Sequence, residues 1–404
     1  MNFDFKFWTR ITFFNLLLVA FIGVIMRYKI GFEFPIFNQK NLQHAHSHFA
    51  FSGWISMMIM LLMLHSIKHK INHTRLNSYS NILFANNLVA YGMLVSFAIQ
   101  GYAVYSITFS TLSILVSFWF CIKYYQERNS AIDLPGMKWL NAAMLFNILS
   151  TLGTFSLSYM MATKQIGQHS YLASVYWYLH FQYNGWFFFA CVGLLVNYLF
   201  ENGIQLKTEK KVFNLFSIAC LPAYGLSTLW LNLPLWLYII VILAAVIQSY
   251  SLFIFIKEII ILKLPSKLKI NSISKLLLIC VTIAICSKVA LQLGSTVPAI
   301  SKFAFGFRPI VIAYLHLVLL AFTSVFLITY AYLNGLFFES RITRNGLLIL
   351  LIGIVLNELL LGLQGVFSIT YTMIPLANEM LFVISLIILI GLVVINLAIN
   401  KRKY

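Results

Sequence analysis

Three histidines recur along this chain with the same neighbours. His48-Phe-Ala-Phe-Ser-Gly-Trp54, His180-Phe-Gln-Tyr-Asn-Gly-Trp186 and His316-Leu-Val-Leu-Leu-Ala-Phe322 share one pattern: histidine, apolar, any, apolar or aromatic, any, small, large aromatic. The histidines stand 132 and 136 residues apart in a chain of 404, about one third of its length each time. A neutral imidazole is a ligand for iron, copper or zinc. An ionisable side chain within an apolar stretch is costly and marks a functional candidate. Any one of these histidines has a plainer reading as an interhelical hydrogen bond, but three at equivalent positions favour metal ligation. The first belongs to a run, His44-Ala-His46-Ser-His48. On a helix His44 and His48 share a face, whereas His46 points elsewhere. Either His46 or His48 can face inward, and the repeat favours His48.

The elements that must carry these residues are apolar. The chain is 61% hydrophobic and 9% charged, against roughly 25% charged residues in a soluble domain. Stretches of about 20 apolar residues, enough to cross a hydrocarbon core, predict spans at 11–29, 46–66, 80–100, 103–123, 139–162, 172–199, 212–231, 234–256, 273–295, 309–335, 346–366 and 376–398. Continuous helices are the spans such stretches form. The expected fold is an all-α membrane protein of about twelve transmembrane helices, one integral domain over 1–404, with a pseudo-threefold arrangement of four-helix units. The histidines fall on the second, sixth and tenth spans, all entered from the same side. His180 and His316 lie about 12 Å into their spans at 1.5 Å per residue. The net charge of +18 sits in short loops rather than in a basic tail, which excludes a nucleic-acid partner. With the N-terminus inside, 21 of the 28 lysines and arginines fall in cytoplasmic segments and six in outer loops. The remaining one, Lys288, lies inside a span. By the positive-inside rule both termini are cytoplasmic.

Other polar residues are fewer. Lys288, Glu358 and Glu379 fall toward the outer half and are candidates for a proton carrier, a metal-site carboxylate or a cofactor partner. Lys288, Glu358 and Tyr314 are the candidates for a proton or charge relay, a Lys288–Glu358 ion pair is an equal alternative, and Glu379 also reads as interfacial. Arg308 stands at the interface ahead of the tenth span. His65, His69 and His73 are expected to be solvated at the cytoplasmic end of the second span, and His169 lies in an outer loop. The five cysteines contain no CxxC and read as small core residues.

The whole-chain topology resembles subunit I of the haem-copper oxidases, the group that includes the nitric oxide reductases. The segments Trp177-Tyr178-Leu179-His180-Phe181 and Ala313-Tyr314-Leu315-His316-Leu317-Val318-Leu319 are similar in character to that family's sixth- and tenth-helix motifs. The resemblance implies that His48 (or His46) and His316 are axial ligands of a low-spin haem, and that Arg308 pairs with a propionate. It also implies that His180 stands where the first ligand of a second metal, copper or iron, would be. The departures are two. The seventh span, around Asn214 to Leu231, lacks the family's histidine pair, and Tyr314 occupies the place of the histidine that binds the active-site haem.

The expected function is therefore that of a cytochrome b-like haem protein of the bacterial cytoplasmic membrane. It would transfer electrons to, or bind, a diatomic ligand such as nitric oxide or oxygen. If it is an enzyme, it is an oxidoreductase of the nitric oxide reductase or terminal oxidase type. Haem b is the expected cofactor because no CxxCH is present for covalent attachment. The implied partners are lipid, a quinol or cytochrome donor, and further subunits. Two rivals stand beside this reading: a secondary transporter or metal/proton permease with the histidines along its path, and a non-catalytic haem sensor or assembly factor.

Overall fold

The computed structural model describes residues 3–400 except 33, 128–132, 166 and 269, and every regular element among them is helical. Among the described residues, eleven helices are long and apolar enough to cross a membrane. They are α1 (Phe5–Gly31), α2 (Gln39–Ser66), α3 (His73–Gln100), α4 (Val104–Gln126), α5 (Met137–Thr163), α6 (Gln168–Glu201), α8 (Leu235–Ile261), α9 (Ser272–Gly294), α10 (Arg308–Leu333), α11 (Arg341–Ile369) and α12 (Ala377–Asn400). The chain is thus an all-α membrane protein. The stretch predicted as a continuous span at 212–231 is built differently. There α7 (Glu209–Cys220) ends before Pro222, and a 3₁₀ segment follows over Pro222–Thr228.

Lipid contact is written on the surface. On α8, Leu235, Trp236, Leu243 and Phe253 are exposed, as are Leu115 and Ile122 on α4. Side chains of this size facing outward on helix after helix suit hydrocarbon rather than water.

Polar caps set several helix starts. The Asp4 carboxylate accepts from the Lys6 and Phe7 amides at 2.8 and 3.2 Å, and the Asn38 side chain accepts from Lys40 and Asn41 at 2.9 and 3.2 Å. Each satisfies amides that have no partner within the helix. Gly101, at φ +66°, closes α3 in a conformation that disfavours other residues.

The chain divides into two compact units. The first comprises Met1–Ala131, Ser272–Leu277 and Ser324–Tyr404; the second comprises Ile132–Asn271 and Leu278–Thr323. In the first, α11 and α12 pack closely at glycines: a Cβ on Gly391 would lie 2.6 Å from the Leu350 amide nitrogen. Small residues let membrane helices approach this closely without a hydrophobic driving force between them. The Asn396 amide donates to the Phe13 carbonyl at 3.2 Å and ties α12 to α1. In the second unit, α7, its 3₁₀ extension and α8 share a small-residue core of Ala219, Ala223, Leu226, Val241, Ala244 and Ala245.

Three of the long helices are not uniform. Helix α2 is π-helical over Ala50–Ser56, α6 over Phe181–Phe187 and α10 over Leu317–Ser324. Each π segment begins one or two residues after a histidine of the repeat. A π turn holds an extra residue and displaces its carbonyls from the α ladder, so outside donors can reach them. Asn15 donates to Gly53 O at 2.7 Å, and Asn86 donates to Ser52 O at 3.0 Å.

Candidate functional site

In the first unit, the Asn38 cap starts α2 early enough that His44, His46 and His48 all lie on regular α-helical turns. Two residues along an α-helix rotate a side chain by roughly 200°, so the three rings part company. His46 turns to α1. Its Nδ1 donates to the Val19 carbonyl at 3.1 Å, and Gly23 leaves room beside it, since a Cβ there would touch His46 Cε1 at 3.5 Å. A carbonyl only accepts, so Nδ1 carries the proton and the lone pair of the neutral ring is on Nε2.

His48 turns the other way. Its ring stacks on Phe97, with centroids 4.2 Å apart and planes within 14°, and its Nε2 lies 3.1 Å from the Tyr102 hydroxyl. His44, one turn earlier, meets Tyr102 edge-on with centroids 4.6 Å apart.

In the second unit, His180 is fully buried. Its Nε2 donates to the Cys220 carbonyl at 2.9 Å, and its Nδ1 accepts from Asn184 Nδ2 at 3.0 Å. Both ring nitrogens are used. The Cys220 carbonyl is available because Pro222 interrupts α7: the Tyr224 amide, which would return to Cys220 in a continued α-helix, bonds Leu221 O at 3.2 Å. The Tyr224 hydroxyl then donates to Ala173 O at 2.9 Å, fastening the 3₁₀ segment to α6. Asn184 and Cys220 were not singled out from the sequence. The signals that point to them are Pro222 and the position of Asn184 one turn after His180.

His316, at the end of the α-helical part of α10, donates from Nδ1 to the Ile312 carbonyl at 2.9 Å. It therefore has the same tautomer as His46. Tyr314 packs edge-on to Tyr183 with centroids 6.1 Å apart. Arg308 is exposed at the start of α10.

Lys288 is 4% exposed, with its ammonium over the Phe188 ring, 5.4 Å from the centroid. Glu358 belongs to the first unit, where it accepts from its neighbour Asn357 at 3.1 Å. Glu379 is exposed in the first turn of α12, a favourable place for a carboxylate against the helix dipole. His65, expected to be solvated, is instead 7% exposed: Lys68 Nζ donates to its Nε2 at 2.8 Å, and Phe5 packs edge-on against its ring. Its burial follows from α1 starting at Phe5, six residues before the predicted span. Cys121, Cys191 and Cys220 are buried, Cys280 is half-buried and Cys286 is exposed.

Among the described residues, no three histidines, cysteines, aspartates or glutamates are grouped to hold a metal ion. A haem with two axial histidines does not require such a group. No protein-family model matches this chain, and no curated protein matches it.

Proposed function

We propose that this chain is a membrane haem protein of the haem-copper oxidase subunit I type, and that His46 in the first unit and His316 in the second would each hold the iron of a b-type haem. The observation that carries the proposal is the shared state of these two rings. Each donates Nδ1–H to a backbone carbonyl, at 3.1 Å for His46 and 2.9 Å for His316. A histidine that ligates iron through Nε2 is held in this way, because the outer hydrogen bond sets both tautomer and ring orientation. His48 fits the role less well, since its Nε2 is engaged by Tyr102. The π segments after all three repeat histidines support a threefold repeat of four helices, with the broken 209–228 stretch as the seventh of twelve crossings.

Bound haem would supply one-electron chemistry. The chain's own part would be to hold iron through His46 and through His316, and to offer Arg308, at the start of α10, to a propionate. A quinol or a cytochrome would donate the electrons, and nitric oxide or oxygen would be the diatomic ligand. His180 does not fit a second metal as it stands, because a copper or iron ion would have to displace one of its two hydrogen bonds. We therefore assign no step to a second metal.

The test is the reduced-minus-oxidised absorption spectrum of detergent-purified protein, with a pyridine haemochrome assay. A low-spin b-type signal lost in His316→Ala and His46→Ala supports the assignment. A colourless protein, expressed with ample haem, overturns it.

A second reading draws on a different observation, the broken helix of the second unit. Transporters place their sites at discontinuous helices, and here the break lies beside His180. Asn184 Oδ1 is buried without a hydrogen-bond partner, and Lys288 is buried against an aromatic face. Solute uptake by proteoliposomes, abolished in Lys288→Met, would bring this reading forward.

A further inference from the structure

The first turns of α2 carry a second set of ligands, on the face opposite His46. His44 and His48 are one helical turn apart, and both rings lie against Tyr102, with centroids 4.6 and 6.0 Å from it. We infer that His44, His48 and the Tyr102 phenol oxygen form a binding site for a divalent transition-metal ion, with copper(II) the preferred occupant.

Three observations carry this. The first is distance. Ligand atoms about 2.0–2.1 Å from a metal are about 2.9 Å apart at a right angle and about 3.3 Å apart at a tetrahedral one. His48 Nε2 and the Tyr102 oxygen are 3.1 Å apart, within that interval. The second is an unmet polar atom. His44 Nε2 is shut off from solvent and makes no hydrogen bond, although it is a polar group in a buried position.

The third observation concerns the junction itself. Gly101 fits against Asn41 so tightly that a Cβ would lie 2.5 Å from Asn41 Oδ1, which seats the 100–102 corner on the first turn of α2. Two more buried polar atoms on these same segments, Gln39 Oε1 and Gln100 Nε2, also have no hydrogen-bond partner. Together with His44 Nε2, the first turns of α2 and the 100–102 corner thus carry three buried polar atoms without a hydrogen bond. Tyr102 is 51% exposed, so an ion can reach them from outside.

Two imidazoles and one phenolate make a nitrogen–oxygen donor set, and copper(II) binds such sets most tightly among the divalent first-row ions. On binding, the phenol releases its proton to solvent and its oxygen bonds the metal. The exposed Lys40 ammonium, one turn before His44, weakens the site but leaves the donors in place. This inference does not rest on the haem assignment, because His46 takes no part in it.

The experiment uses tag-free protein in a His69→Ala/His73→Ala background, which removes two exposed histidines from competition. Copper(II) is titrated in, weakly held ions are removed by gel filtration, and bound copper is measured by elemental analysis and electron paramagnetic resonance. The expected result is about one copper per chain, with hyperfine structure from two nitrogens and a phenolate-to-copper absorption band. His44→Ala and His48→Ala should each lower affinity at least about 100-fold. Tyr102→Phe should lose the absorption band but keep both nitrogens. Gel filtration and thermal unfolding establish that each variant is folded. No retained copper, or retention unchanged in folded His44→Ala and His48→Ala, overturns the site. Haem spectra recorded on the same samples separate its failure from failure of the haem assignment.

Discussion

The Nε2 of His180 donates to the main-chain carbonyl of Cys220 across 2.9 Å. The bond joins an intramembrane histidine to a helix broken two residues later by proline. Water that would satisfy a freed carbonyl at a surface is absent from a bilayer interior, so the donor must come from the protein. Asn184 holds the other ring nitrogen and keeps the donor aimed. His180→Ala should therefore destabilise the protein by about 1–3 kcal/mol, the cost of leaving buried polar groups unmet. Thermal unfolding in detergent measures it. Pro222→Ala restores an amide and lets α7 continue, so the double variant should lose less than the sum of the two single losses. Strict additivity would show that the histidine does not serve the break.

His46 and His48 are two residues apart, but they face different neighbours. Replacing His46 by alanine should abolish the low-spin haem signal, as should His316→Ala. His48→Ala should retain it, with at most a small shift of the absorption maximum. Loss in His48→Ala with retention in His46→Ala would reverse the assignment.

The π segment of α2 is fastened by Asn15, whose amide donates to Gly53 O while its oxygen accepts from the Tyr91 hydroxyl at 3.0 Å. Asn15→Leu removes both bonds together with a third, from its amide to Asn87 Oδ1 at 2.9 Å, and should cost about 1–2 kcal/mol, near the upper end for interhelical hydrogen bonds in membranes. Hydrogen exchange should rise in residues 50–56 more than in the α-helical part of α2 that follows. Equal change along the whole helix would argue against a local role for Asn15.

Gly391 meets the α11 backbone at Leu350, and no side chain fits between them. Gly391→Ala forces α11 and α12 apart and should lower stability by about 1–3 kcal/mol, the usual range for overpacking. Gly362→Ala, on α11 with nothing within 4 Å of the added carbon, is the matched control and should stay near neutral. Equal unfolding temperatures for the two variants would contradict the close approach.

The membrane fold was legible in the residues because it depends on summed apolarity over about 20 positions. Eleven of the twelve predicted spans appear as helices, with ends shifted by up to seven residues where polar caps lie outside the apolar run, as Asn38 does for α2. The twelfth, at 212–231, was legible only in part: its apolarity read as a span, while Pro222 carried the break. The repeat of histidine followed by small and aromatic residues was also visible, and a π segment follows each histidine.

What the sequence could not determine was direction. His44, His46 and His48 look alike along the chain. Which ring reaches Val19, which stacks on Phe97 and which is left with an unmet nitrogen depends on where α1 and the 100–102 corner come to rest. The same holds for His180. Its type and spacing suggested a ligand, but its hydrogen bonds come from Asn184 and from Cys220, forty residues away. An imidazole offers two nitrogens, and tertiary contact alone decides which of them is left to bind anything else.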